Sequence, residues 1–460
     1  MMNGGIHVDT SVIVITRDEL PYLRDTLVVL RQTLGDKAGE YIVVDDGSQD
    51  GTKEWLAGID AVRLIHHTEK KGWMSSLNEG INIAHGKNIL VLRGGTLMPH
   101  ITWMRLKAAL GEDRTRGAQA GVVFSICNSA YEGGKQHEEI ACDALEALER
   151  TASARPEARD EATVYLDGHC MLMRRAAWQA VGGLRESYGD YKEGYVDFSL
   201  RLWKNGLATR RCPMAVVQVE EAAVDSREKA AAERDGQVLL AEQWHIRPGY
   251  SLQMRRDLLA DFDYSDPDFS ILVAGCACGM DLMYVHDTYP DAELQGIELD
   301  PHSAAIAATF APVENIDIET LDRPDWQERF SAVLMGDILE HLRDPWKTMR
   351  RMYEYTRPGG RISISLPNVS HISILGSLLR AHWQYERAGL LDRTHLRFFA
   401  RNEAVDLVTQ AGYHIKEVRY RKVPISEEMT KLRKALLPLL QNGAQPFDLD
   451  AYQWLIVGEK

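Results

Sequence analysis

Short apolar runs rich in β-branched residues alternate along the chain with stretches whose leucines recur every three or four positions. "SVIVIT" (11–16), "EYIVVDD" (40–46) and "NILVL" (88–92) predict buried strands. Leu20, Leu23, Leu27, Leu30 and Leu34 predict a helix opening at an Asp18 N-cap, and 51–59 and 74–86 read as two more helices. Strands that alternate with helices imply a largely parallel sheet covered on both faces, the α/β class. The pattern returns in the second half, where "FSILVAG", "AELQGIEL", "FSAVLMGD" and "RISISLP" predict strands and "AYQWLIVGE" a last one. Between the halves, 225–246 is rich in Ala, Glu and Arg and predicts a connecting helix, which "RPGY" breaks. Residues 425–447 predict a helical insertion before the last strand.

Length and composition narrow this picture. The chain has 460 residues, 45% hydrophobic and 26% charged, which suits two to three globular domains. A net charge of −14 argues against a nucleic-acid partner, which would want a basic face. Cys127, Cys142, Cys170, Cys212, Cys276 and Cys278 contain no pair at CxxC spacing, and a chain of this size needs no disulfides. A reducing cytoplasm is the expected setting. The N-terminus lacks the pattern of a secretory signal, and no apolar run reaches the ~18 residues of a membrane span.

Ligands of a parallel sheet bind beyond the carboxyl ends of its strands. "VVDDGSQDGT" (43–52) stands at such an end, where two adjacent acids can accept hydrogen bonds from a ribose or a base edge, and Gly47 and Gly51 permit a tight turn. The plainer alternative is a capped turn in which Ser48 and Asp50 start the next helix. In the second half, "ILVAGCACG" (271–279) is strand, glycine turn and helix start, and Glu298 follows at the end of the next strand, placed to accept both hydroxyls of a ribose. That pairing alone does not separate NAD from S-adenosylmethionine.

The DDGS-x-DGT run, Gly72, Asn78, Gly80, Ala84, Gly86, "MLMRR…VGGL" and "VDFSLRLWKNG" together resemble family-2 glycosyltransferases of the GT-A fold, over about the first 220 residues. The resemblance implies sugar transfer from a nucleotide donor, usually with Mg²⁺ or Mn²⁺ on the diphosphate. It carries donor contacts to Thr16, Asp45, Asp46, Ser48, Lys71 and Arg93. The family's acidic metal motif, however, falls on Arg93, Gly94 and Gly95, none of which offers a hard cation an oxygen ligand. The family's Glu-Asp pair falls on Gly194 and Tyr195, with Glu193 one step upstream, and its late histidine on Gln218. Two readings follow: a binding module that has lost the metal chemistry, or metal-free transfer with Arg93 on the diphosphate and Glu193 or Asp197 as base. A solvated strand-end charge at Arg93 is the bland alternative.

"FSAVLMGDILEHLRDPW", "RPGGRISISLPNVSH" and "GLLDRTHLRFFARNEAVDLVTQAGY" resemble class I S-adenosylmethionine-dependent methyltransferases, in particular bacterial ones fused to family-2 glycosyltransferases. The resemblance implies a Rossmann-like seven-stranded sheet with an antiparallel last strand near Leu455. It carries the cofactor site to Gly275, Cys276, Ala277, Cys278, Gly279, Glu298, Leu299, Asp337 and Ile338. Val273 replaces a usual acid, and Ala277 a usual glycine, at little cost if its φ stays negative. His341 is a candidate base, since histidine as a residue type suits proton transfer near neutral pH, and His395 and Asp392 are candidate acceptor contacts. Each has a structural alternative: a helix cap, a packed ring or a turn, with Arg393 and Arg397 paired to acids. Cys276 and Cys278 read as turn packing rather than metal ligands, and Trp383 and Tyr385 as core cover rather than a sugar platform.

The expected organisation is a GT-A-like domain at 1–222, a helical connector at 223–260 and a methyltransferase domain at 261–460. The expected function is glycan biosynthesis, with O-methylation of a sugar on a glycan or glycoprotein acceptor. The alternatives are an active metal-independent glycosyltransferase or a non-catalytic scaffold with both pockets degenerate. The expected cofactor is S-adenosylmethionine, beside a nucleotide-sugar donor and without a divalent metal. No nucleic acid or membrane span is expected.

Overall fold

The computed structural model of the protein describes residues 8–35, 39–112, 119–128, 149–150, 153, 159–220, 226–441 and 443–460. Cys142 lies outside them. The chain divides into two compact units, Met1–Pro248 and Gly249–Lys460.

In the first unit, strand β1 (Thr10–Thr16) is buried along its whole length, as its run of Val and Ile requires of a strand covered on both faces. It lies between β2 (Glu40–Asp45) and β4 (Asn88–Arg93), parallel to both. Among the described residues the sheet has nine strands. The main path runs β3 (Arg63–His66), β2, β1, β4, β8 (Cys170–Arg174), β6 (Gln119–Asn128), β9 (Leu207–Val219) and β5 (Thr96–Leu97), with β7 (Glu161–Ala162) on β9. Register sets Thr16 beside Asp45 and Ile15 beside Arg93, so the carboxyl ends of three strands share one edge.

The helices are α1 (Leu20–Leu34), α2 (Thr52–Leu56), α3 (Trp73–Asn82), α4 (His100–Glu112), α5 (Arg175–Val181), α6 (Glu193–Lys204) and α7 (Ser226–Trp244). The stripe from Leu23 to Leu34 is buried against the sheet. Asp18 is not the cap of α1. It takes φ +50° and accepts the Gln49 N–H at 2.7 Å, while Asp50, thirty residues on, accepts the Leu20 N–H at 2.8 Å. Helix α7, expected as a connector, is counted with the first unit. Its Glu233 pairs with Lys192, and the Trp244 indole donates to Asp197 at 3.0 Å.

The second unit is a seven-stranded sheet in the order β12 (Val313–Asn315), β11 (Glu293–Glu298), β10 (Ser270–Ala274), β13 (Phe330–Gly336), β14 (Thr356–Pro367), β16 (Gln453–Glu459), β15 (His414–Arg421). All neighbours are parallel except β16, which runs antiparallel to β14 and β15, as expected of the last strand. Its main core gathers Trp326, Phe330, Met349, Met352, Tyr413 and Trp454 on one face. Helices α8 (Met280–Thr288), α9 (Pro301–Ala307), α10 (Pro345–Tyr355), α11 (Ile372–Leu379) and α12 (Arg401–Gln410) flank the sheet, and α13 (Glu427–Leu436) opens the expected insertion. β10 ends beside Ile297 of β11 and Met335 of β13, which places the glycine turn at the carboxyl edge.

Candidate functional site

In the first unit the two acids after β2 point to different tasks. Asp45 accepts the Ser48 N–H at 2.9 Å and faces His66 Nδ1 at 2.8 Å. Asp46 faces His67 Nδ1 at 3.0 Å and accepts the Lys71 and Gly72 N–H groups at 2.8 and 3.1 Å. Burial opposes ionisation of Asp46, but the bonds from His67, Lys71, Ser76 and Gly72 outweigh it and hold the carboxyl below its ordinary range. Ser48 Oγ accepts the Asp18 N–H at 2.9 Å, and Lys71 Nζ donates to Glu79 at 2.7 Å. The Thr16 hydroxyl is buried without a hydrogen-bond partner. The capped turn and the strand-end cluster are therefore both present: Asp50 binds Thr52, while Thr16, Asp45, Asp46 and Ser48 gather at one edge.

Arg93 donates to Glu19 at 3.0 Å, and its guanidinium lies 5.5 Å from the centre of the Trp73 ring. The turn after it is closed by packing. Gly95 has φ +83°, and a Cβ there would run into the Glu220 carbonyl oxygen; one on Gly94 would come within 3.0 Å of Thr16 Oγ1. The side chains at 93–95 thus offer no carboxylate, Gly95 has no room for one, and they do not fit the divalent ion that the fold family implies.

Glu193 opens α6 and is buried, its Oε2 without a hydrogen-bond partner. Burial pushes its carboxyl up. Helix α7 crosses it so closely that a side chain on Gly236 would meet that oxygen. Asp197 is fully buried and committed, taking Arg185 at 2.5 Å, Arg201 at 2.9 Å and Trp244 at 3.0 Å. Both candidate bases are covered.

In the second unit the glycine turn is tied to the strands around it. Gly275 and Cys276 donate to the Ile297 carbonyl at 2.8 and 3.0 Å, and Cys278 to that of Ser251 at 3.1 Å. Glu298 accepts the N–H of Ala277 and of Asp300, each at 2.8 Å. Gly275 (φ +67°) lies so close to Ile338 that a Cβ would strike its Cδ1. Ala277 takes φ +47°, contrary to the expected negative angle, because the turn reverses there whatever residue occupies it. The thiols of Cys276 and Cys278 are buried and free, and burial raises both, Cys278 to about 12. Leu299, beside the Glu298 carboxylate, leaves 67% of its surface exposed. The turn, the Glu298 carboxylate and the open Leu299 side chain thus stand together at the carboxyl edge of the sheet.

Asp337 (φ +54°) gives its carboxylate to Ser365 at 2.5 Å, Gln453 at 2.8 Å and Arg255 at 3.1 Å. Asp392 binds Thr394 through both its N–H and its hydroxyl, which makes it a turn former. His341 and His395 meet edge to face, ring centres 4.8 Å apart. His395 is buried, with Nδ1 facing the Leu390 carbonyl at 3.2 Å. Arg397 donates to the carbonyls of Leu396 and Arg343, rather than to acids. Trp383 and Tyr385 are not core cover as expected: they are 36% and 54% exposed, because the segment that carries them packs only one edge, Trp383 lying edge-on to Phe398 at 5.3 Å.

Three residues that the sequence pattern did not single out belong here. Glu340 is buried beside the two histidines, and burial, then the Asp337 charge, raise its carboxyl well above the ordinary range. Tyr250, about half exposed, has its phenol raised by partial desolvation and then by the charges of Asp337, Glu340 and Glu298. Arg255 holds Asp337. The one sequence signal was an acid inside the otherwise apolar "ILEHL".

The model for glycosyl transferase family 2 matches residues 11–182, and a methyltransferase domain model matches 244–418. The "Glycosyltransferase AglE" of Haloferax volcanii is 33% identical over 99 residues, which span 20% of this chain and 32% of that relative. The mannosyltransferase PcManGT from Pyrobaculum calidifontis, solved with GDP-Man and Mn²⁺, is 22% identical over 51% of this chain and 63% of its own, at a TM-score of 0.36. An S-adenosylmethionine-dependent methyltransferase from Mesorhizobium loti is 15% identical over 44% of this chain and 96% of its own, at a TM-score of 0.31. The chain thus spans less than two thirds of AglE and of PcManGT. The two family models follow one another along the chain, each over most of one unit, and the chain joins a family-2 glycosyl transferase domain to a methyltransferase domain.

Proposed function

We propose that the protein works in the cytoplasm on a surface glycan or glycosylated protein, and that its second unit O-methylates a sugar hydroxyl. The observation that carries this is the tie between Glu298 and the Ala277 N–H, with Leu299 open beside it. Gly275 to Gly279 would hold the methionine part of S-adenosylmethionine, Glu298 the ribose, and Leu299 and Ile338 the adenine. The bound donor supplies an electrophilic methyl on sulfonium. The chain's share is positioning: the fixed turn sets the donor's place, and His341, His395 and the open Trp383 and Tyr385 border the acceptor's. The buried thiols of Cys212, Cys276 and Cys278, which form no disulfide, suit a reducing compartment. Among the described residues no helix is long and apolar enough to cross a membrane.

The first unit binds a nucleotide sugar through Thr16, Asp45, Asp46, Ser48 and Lys71, without a metal at 93–95. The closed Gly94–Gly95 turn and the covered Glu193 and Asp197 favour a binding role over sugar transfer. Calorimetry on the full chain tests both halves. S-adenosylhomocysteine binds, and a nucleotide sugar binds equally with and without Mn²⁺. Labelled methyl donor incubated with a glycan extract marks a sugar oxygen. No binding of the homocysteine would sink the methyl-donor reading, and a strong Mn²⁺ requirement the metal-free one.

A further inference from the structure

Glu340, His341 and His395 bring one carboxylate oxygen and two imidazole nitrogens within 4.8 Å of one another, the sole such group among the described residues. We infer that these three side chains form a divalent transition-metal site at the acceptor side of the methyltransferase domain.

The hydrogen bonds around the cluster dictate its lone pairs. The Thr394 hydroxyl gives its proton to Asp392 Oδ1 at 2.6 Å, so toward His341 it offers only oxygen lone pairs, as does its carbonyl at 3.2 Å. His341 Nδ1 must therefore carry the proton, which leaves its Nε2 as an acceptor. His395 Nδ1 faces the Leu390 carbonyl at 3.2 Å, which fixes the same tautomer. His395 Nε2 then directs a lone pair at Glu340 Oε1, 4.0 Å away, too far for a hydrogen bond, and Glu340 Oε2 is buried with no hydrogen-bond partner. Buried acceptors that face one another need a proton or a cation between them, and three such atoms converging suit a metal ion that displaces the proton from Glu340. The outer bonds to Thr394 and Leu390 are the kind that orient metal-bound histidines.

The two supporting segments are locked together. The Glu340 carbonyl accepts the N–H groups of Leu396 and Arg397 at 2.8 and 3.0 Å. Metal bonds of about 2.0–2.2 Å set neighbouring ligand atoms roughly 3–3.5 Å apart, so the cluster closes by small turns of the half-buried His341 and of the Glu340 carboxylate. Two imidazoles and a carboxylate suit Zn²⁺, Mn²⁺, Fe²⁺ or Co²⁺ better than Ca²⁺ or Mg²⁺.

The site itself stands on this geometry; its role rests on the methyl transfer proposed above. Three protein ligands leave open positions for an acceptor hydroxyl, whose proton the ion makes easier to lose to water. The resulting oxygen lone pair forms the O–CH₃ bond while the S–CH₃ electrons return to sulfur, leaving neutral S-adenosylhomocysteine. A sugar hydroxyl is too weak an acid to ionise readily without such help.

The test is equilibrium dialysis of the chelator-stripped full chain against Zn²⁺ or Co²⁺, with metal analysis and the visible spectrum of bound Co²⁺. One ion with a His-containing Co²⁺ spectrum is expected. H341A, at a half-buried position, should lose more affinity than the roughly 10–100-fold typical of an outer partner, and E340Q should do likewise. Circular dichroism and melting of the same samples report whether the chain is folded, and S-adenosylhomocysteine calorimetry whether it binds the methyl donor's product. Failure of the wild type to bind an ion, or an unchanged ion and spectrum in H341A and E340Q, overturns the site. Metal bound at the site without any homocysteine binding leaves the site standing and removes the methyl-donor reading; homocysteine binding without metal does the reverse.

Discussion

Glu298 and Ala277, twenty-one residues apart and on neighbouring strand ends, share a hydrogen bond of 2.8 Å between carboxylate and backbone N–H. One carboxylate both shapes the turn and faces the space the turn encloses. Glu298→Gln keeps the volume but puts an N–H where an acceptor stood, against Ala277 or Asp300. A charge-assisted bond is worth about 1.5–3 kcal/mol. The expected result is a tenfold or greater loss of S-adenosylhomocysteine affinity by calorimetry, together with a lower Tm. Unchanged affinity would remove Glu298 from the cofactor site.

Ala277 at φ +47° carries a cost that glycine would not. A left-handed alanine costs roughly 1–2 kcal/mol, and the looser unfolded chain of a glycine variant returns about 0.4–1 kcal/mol of that. The first effect is larger. Ala277→Gly should stabilise the protein by about 0.5–1 kcal/mol in thermal denaturation, and a lower Tm would show that the methyl group makes a contact worth more than the strain.

What the sequence made legible follows from burial. β1 and β10 are covered on both faces and appear as unbroken apolar runs, so their turns could be placed. β15 is a sheet edge whose side chains are largely exposed, and "HIKEVRYR" gives no apolar run; β12 has three residues. The cap of α1 was misread because Asp50 comes from a neighbouring loop, and a local pattern cannot see across thirty residues. The same limit hid the cluster of Glu340 with His395. His341 stood out as a candidate base and His395 as a candidate acceptor contact, but their meeting depends on the 394–397 segment docking on the 339–341 turn. The sequence placed glycines at 94 and 95 where the resemblance implied acids, while the Glu220 carbonyl that closes the turn was invisible in it.

That closure predicts that putting the acid back fails. Gly95 combines φ +83° with a carbonyl oxygen where its Cβ would go, and its N–H and C=O are bonded to Thr26 and Glu220 at 2.9 and 2.8 Å. Gly95→Asp should lower the stability of the protein by at least about 2 kcal/mol, adding left-handed strain to a clash with backbone. It should not create Mn²⁺ binding at this turn. A variant of unchanged Tm that gains a Mn²⁺-dependent nucleotide-sugar affinity would show the turn to be adaptable and the loss of the motif to be a matter of two residues.

Asp281, in the first turn of α8, gives a pH signature. It is only 7% exposed, and burial raises its carboxyl from 3.8 to about 6, partly offset by the Arg255 N–H it accepts at 2.6 Å. The sign follows from linkage. Because the folded state holds this proton more tightly than the unfolded chain, the wild type gains stability as pH falls through 6 toward 4, and carries the full cost of a buried carboxylate above 6. Asp281→Asn keeps an oxygen to accept from Arg255 and carries no charge at any pH. Its stability advantage should be greatest above pH 6, where a shift of about two units corresponds to up to about 3 kcal/mol, and should fade toward pH 4. Melting curves of both proteins across pH 4.5–8 measure the gap directly. A variant less stable than the wild type at pH 8 would mean that the ionised carboxylate is held by the Arg255 side as a needed charge, and that the turn of α8 depends on it.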